Sequence, residues 1–119
     1  MSSHFFALFS RMKYIDRWAL MRNTDTESLS QHSLDVSAIA HALAVIGNKR
    51  LGKSYDTGKI ALIGMYHDMP EIITGDMPTP VKYHNAEIRE AFGSIEKAAQ
   101  RSLLSTLPED LREDYREYL

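Results

Sequence analysis

In the stretch "MYHDMPEIITGDMPTPVK", Met65 to Lys82, an apolar run ends in an adjacent His67-Asp68 pair. Glu71 and Asp76 follow, with only Lys82 to offset them. One histidine and three carboxylates so close together ask for a cation. Imidazole and carboxylate suit a divalent transition metal such as Mn, Fe, Co, Ni or Zn, and a bound dication holds nearby carboxylates ionised. Taken alone, the pair has an ordinary explanation: Asp68, unfavourable at the negative end of a helix dipole, would cap a following helix at Pro70. His32 shifts the balance. It lies 35 residues upstream, four residues before Val36 and seven before Ile39, at the start of a buried row of its own helix. Two helices would each deliver a histidine at the end of an inward face.

The neighbouring polar residues divide less sharply. Glu71 is four residues past His67 and reads either as a first-turn acid favouring a helix dipole or as a general acid/base. Arg17-Trp18 is either a packed corner or a phosphate-binding guanidinium beside an indole wall for a nucleoside. His41 lies nine residues after His32, about half a turn out of phase, and is read as structural or surface. Arg11, Lys13, Arg22 and Lys82 have no special placement and are read as solvated.

The elements that must position these groups are helical nearly throughout. Phe5, Leu8, Phe9, Met12 and Ile15 mark an amphipathic first helix that ends at Arg17-Trp18. Arg22 to Ser30 reads as a loop. Ser30 is the expected N-cap of a second helix with Val36, Ile39, Ala40 and Leu43 buried and Gly47 as its stop. Asp56 or Thr57 caps a third helix, carrying Ile60, Ile63 and Tyr66 and ending near His67-Asp68. Pro70 opens the short helix "PEIIT", stopped by Gly75, and "DMPTPVKYH" is an extended connector. Asn85 opens a long helix with Ile88, Phe92, Ile95, Ala99 and Leu103 on one face. Pro108 starts a last one with Leu111, Tyr115 and Tyr118 as its stripe. No alternating run of β-branched residues signals a strand. The expected class is all-α, one helical domain over residues 1–119.

Composition narrows the functional classes. The chain has 119 residues, 44% of them hydrophobic, a formal net charge of −2 and no cysteine. That balance offers no broad attraction to a nucleic-acid polymer or an anionic membrane. Disulfides and thiolate metal sites are excluded. No apolar run approaches the ~20 residues needed to span a bilayer, so a soluble, cytoplasmic protein is expected.

At this point the residues resemble a known family. A histidine on one helix and His-Asp at the end of another is the signature of HD-domain phosphohydrolases. "SHFFALFSRMKYIDRWALMRN", "SQHSLDVSAIAHALA" and "MYHDMPEIITGDMPTPVK" look like the bacterial HD-domain 5′-deoxynucleotidases over essentially the whole chain; GD-x-PTPVK is specific to that subgroup. The resemblance implies an HD-type helical bundle and release of phosphate from deoxyribonucleoside 5′-monophosphates, with selection against ribonucleotides. It implies His32, His67 and Asp68 as metal ligands, Glu71 as catalytic acid/base and Arg17 as the group orienting phosphate. Trp18 would lie against the sugar at C2′ and Asp76 on the 3′-hydroxyl, with Met77, Pro78 and Thr79 lining the same pocket. It further implies a homodimer using a divalent ion such as cobalt or manganese.

One departure goes with the resemblance. The family takes its last ligand from an Asp well beyond this chain's length. Asp110 and Asp114 sit among Glu and Arg and read as solvated surface. The expectation is an N-terminal portion of an HD domain that holds metal more weakly, is reduced in activity, and has apolar surface uncovered around Leu103, Leu111 and Tyr115. Two other readings stay open: an HD phosphohydrolase acting on a cyclic dinucleotide or a nucleoside triphosphate, and a non-catalytic nucleotide-binding helical module.

Overall fold

The computed structural model describes residues 4–17, 26–75 and 82–119. Trp18, Asp76, Met77, Pro78 and Thr79 lie outside the described residues.

The first helix is shorter than the apolar period predicts. α1 spans Phe5–Phe9 and tightens into a 3₁₀ helix over Ser10–Tyr14. Ser10 Oγ donates to the Ala7 carbonyl at 2.8 Å, a local bond that competes with the helical ladder. Ile15 is already extended, with φ −102° and ψ 113°. Arg17 therefore does not end a helix. It belongs to β1 (Asp16–Arg17), which pairs antiparallel with β2 (Glu27–Ser28), Arg17 opposite Glu27. This pairing was not expected from the sequence, because two residues are too few to show alternation. The fold otherwise has the expected all-α character.

β2 runs directly into α2, Leu29–Leu51. Its N-cap is Ser28, not Ser30. Gln31 lies three residues after Ser28 and closes a reciprocal capping box: Gln31 N donates to Ser28 Oγ at 3.2 Å and Ser28 N to Gln31 Oε1 at 2.8 Å. The Leu29 amide also donates to the Ile15 carbonyl, so the Arg17 strand is sewn to the start of α2. The helix does not stop at Gly47; it ends at Gly52, whose φ of 65° is left-handed.

The buried face of α2 corrects the expected stripe. Ile39 and Leu43 are 61% and 63% exposed, while Ser33, Ser37, Ala44 and Gly47 are buried. Small side chains let α2 approach α3 (Thr57–Tyr66) closely. A Cβ on Gly64 would lie 2.9 Å from Ser37 Cα, and Ser37 Oγ donates to the Ala61 carbonyl at 2.8 Å. At so short an approach there is no room between the helices for Ile39 or Leu43. Ile60 and Ile63, expected to face the core, instead line an open groove between the two helices with Val36, Ala40 and His67.

The remaining helices start where the sequence places them. Asp56 caps α3 by accepting from Lys59 N at 3.1 Å. α4 is Glu71–Thr74 with Pro70 at its N-cap and Gly75 at its end. α5 is Ala86–Ser105, capped by Asn85 accepting from Ile88 N at 2.8 Å. After Pro108 a 3₁₀ turn (Glu109–Leu111) leads into α6, Arg112–Arg116. On α5, Ala99, Leu103 and Leu104 are buried, but Ile88 and Ile95 are exposed.

The core joins both ends of the described chain. Phe5, Met12, Leu29, Met69, Leu103, Leu104 and Leu107 form it, with Tyr66 and Tyr115 packed against them. Leu103 is fully buried and Tyr115 packs with its ring centroid 5.2 Å from that of Phe5, so the expected uncovered surface around them is not found. Of the three, Leu111 is the exposed one. Apolar surface is left open on α2, where Ile39, Leu43 and Ile46 face out. Among the described residues no helix is long and apolar enough to cross a membrane.

Candidate active site

The junction of α3 and α4 is rigid for reasons visible in its backbone. His67 caps α3, its amide donating to the Ile63 carbonyl at 2.9 Å. Met69, next to Asp68, is fully buried and donates from its amide to the Tyr66 carbonyl at 2.9 Å, while the Glu71 amide donates to the Asp68 carbonyl at 3.0 Å. Met69 thus anchors the turn in the core and leaves His67 and Asp68 at its rim.

Asp68 is not a helix cap. No side chain caps α4. Its carboxylate instead lies between two imidazoles, with Oδ2 3.4 Å from His32 Nε2 and Oδ1 3.2 Å from His67 Nε2. His32, on the second turn of α2, and His67, at the end of α3, are thereby brought together across the close α2–α3 contact. His41 is exposed and apart from them. Asp110 and Asp114 are also exposed.

The ring orientation of His67 is fixed. Its Nδ1 is 3.1 Å from the Gly64 carbonyl; a carbonyl only accepts, so Nδ1 carries the proton. Nε2, the nitrogen left over, faces Asp68. This backbone-oriented imidazole is the usual arrangement of a metal-ligating histidine. Lone-pair nitrogens and a carboxylate at 3.2 and 3.4 Å repel one another unless a proton or a cation lies among them. Donors bound at ~2.1 Å are themselves roughly 3.0–3.4 Å apart in octahedral or tetrahedral sites. The donor types therefore suit a divalent metal. Among the described residues, however, no three His, Asp or Glu side chains are grouped as a ready-made metal site: the two rings meet through opposite oxygens of one carboxylate.

Glu71 opens α4. One of its carboxylate oxygens is buried, and its side chain shares a small cavity of about 50 Å³ with His67 and Asp68. Arg17 sits in β1, where Nη1 donates to Glu27 Oε2 at 3.0 Å. Its tie to the site is through β2 and the start of α2, which bears His32.

Two residues in this region went unnoticed in the sequence. Glu27 meets Arg17 through a two-residue ladder that leaves no periodic trace. Lys82 was read as solvated, yet its side chain is only 19% exposed and lines the cavity of His67, Asp68 and Glu71. The signal was available in α5: Phe92, Glu96, Ala99 and Leu103 recur at helical spacing, which turns Glu96 inward toward Lys82.

Comparison with known proteins places the fold in a family. Residues 4–119 match the family described as YfbR-like 5′-deoxynucleotidase. A 5′-deoxynucleotidase of Pectobacterium atrosepticum is 56% identical over 96% of this chain and 57% of its own length. One from Vibrio cholerae is 55% identical over 98% of this chain and 60% of its own. Among solved structures, an HD-domain phosphohydrolase from Listeria innocua superposes with a TM-score of 0.85 at 26% identity, over 98% of this chain and 55% of that one. The chain thus spans a little over half the length of the relatives it matches. With an HD-domain helical fold and a family match over residues 4–119, the chain belongs to the YfbR-like 5′-deoxynucleotidase family.

Proposed function

We propose that this chain is the His-Asp-bearing part of a metal-dependent phosphomonoesterase that acts on deoxyribonucleoside 5′-monophosphates. The observation that carries the reading is the Asp68 carboxylate between the Nε2 atoms of His32 and His67, with Glu71 in the adjoining cavity. His32, His67 and Asp68 would hold a divalent ion such as cobalt or manganese. When bound, that ion supplies positive charge against the phosphate and acidifies water.

The chain's own residues do the rest. A water oxygen bonds to phosphorus as the bond from phosphorus to the 5′-oxygen breaks. Glu71 takes a proton from that water and returns one to the departing 5′-oxygen. Arg17 balances charge on the phosphoryl oxygens, with Glu27 fixing its rotamer. Trp18 would stand against C2′, where a rigid ring excludes a ribose hydroxyl better than a soft apolar pocket does. Asp76 would accept the sugar 3′-hydroxyl beside Met77, Pro78 and Thr79. The family resemblance and the open α2 face support a homodimer in the cytoplasm.

The test is phosphate release from dAMP and AMP with Co²⁺ or EDTA, on material whose dimeric state is checked by sedimentation. Release from dAMP alone, abolished by EDTA and lowered at least 100-fold by Glu71→Gln, is expected. Equal release from AMP would remove Trp18 from its role, and release in EDTA would remove the metal.

A further inference from the structure

We propose that Lys82 is an anion-binding residue of this site, holding the phosphoryl end of the ligand in the cavity it shares with His67, Asp68 and Glu71. The inference rests on the reading of the cavity as a phosphate site. The cavity shared by His67, Asp68 and Glu71 is also lined by Lys82, Phe92 and Glu96. Its volume is about 50 Å³, against the ~300–1,000 Å³ of sites that enclose a whole drug-sized ligand. It admits a phosphoryl group and not a nucleobase.

Lys82 is the one lysine or arginine of that lining among the described residues. A lysine side chain only 19% exposed carries a charge that is costly unless it is met, and here it is met poorly. Among the described residues its contacts are the Phe92 ring, 5.1 Å from Nζ to the centroid, and Glu96 Oε1 at 3.5 Å. A strong charge-assisted pair would close to ~2.8 Å. A lysine has three N–H donors and no acceptor, so one long ion pair leaves most of its capacity for a ligand. The ring face and Glu96 hold the stem in place without saturating the head. In this way a cation is kept ready for an anion rather than consumed by a salt bridge.

A purely structural Lys82–Glu96 bridge makes the opposite prediction for Glu96. Inorganic phosphate is titrated into the chain in EDTA and followed by ³¹P NMR, with thermal melts to confirm folding. Lys82→Met should weaken phosphate binding about tenfold, the worth of one charge-assisted hydrogen bond, and Lys82→Arg should restore most of it. Glu96→Gln should tighten binding, because it frees the ammonium. Unchanged binding in Lys82→Met, weaker binding in Glu96→Gln, or no saturable binding to the parent chain would overturn the proposal. Phosphate release from dAMP, run in parallel, separates the two readings. Binding through Lys82 without turnover sinks the catalytic reading and spares the subsite; turnover with no dependence on Lys82 does the reverse.

Discussion

At the scale of single residues, the site is organised by what each atom is unable to do. The Gly64 carbonyl cannot donate, so His67 Nδ1 must, and the ring is left with Nε2 toward Asp68. Asp68 cannot profit from the end of α3, where the helix dipole is negative, and a cation held between it and the two rings would offset that cost. A second residue links this corner to the core. Burial among rings, with Tyr115 beside it, raises the Tyr66 phenol above its usual 10.0. The folded state therefore keeps that proton at pH values where the unfolded chain has lost it. The resulting stability is fully present below pH 10 and is lost as pH rises through the higher folded value. Thermal melts should fall in temperature above pH 10, and Tyr66→Phe should flatten that fall. An equally steep fall in the variant would assign alkaline loss to other groups.

Among the elements, the close approach of α2 and α3 decides whether His32 reaches Asp68. Gly64 is where that approach is tightest, with backbone on the other side. Gly64→Ala must push the helices apart, and overpacking of this kind costs about 1–3 kcal/mol. Denaturant melts should show that loss, and any cation affinity should fall with it, because the methyl group separates His32 from His67. A variant as stable as the parent would mean that the helices can slide without cost. The same contact explains what the sequence could and could not tell. Caps at Asp56, Asn85 and Gly75, and the helix break at Pro70, were legible because each is a local interaction. The buried face of α2 was not. Val36, Ile39 and Leu43 outweigh Ser33, Ser37 and Gly47 in hydrophobicity, but the partner helix selects for small size. The end of the first helix and the Asp16–Arg17 ladder were hidden for the related reason that each depends on a contact made outside the apolar period.

For the whole molecule, the polar site sits at the rim of the core. Phe5, Leu103 and Leu107 bring the two ends of the described chain onto Met69, and Met69 holds the His67-Asp68 turn. His32 and the pair at 67 and 68 were legible together because that motif depends on residue type, whereas Lys82 needed the three-dimensional placement of α5. The central claim is that His32, His67 and Asp68 form one cation site. Titration of the chain with Co²⁺, followed by its visible absorption, tests this most directly. One saturable site per chain is expected, with affinity lowered at least tenfold by Asp68→Asn and by His32→Ala, and unchanged by His41→Ala. Absence of a saturable site, or equal affinity in the parent and Asp68→Asn, would contradict it.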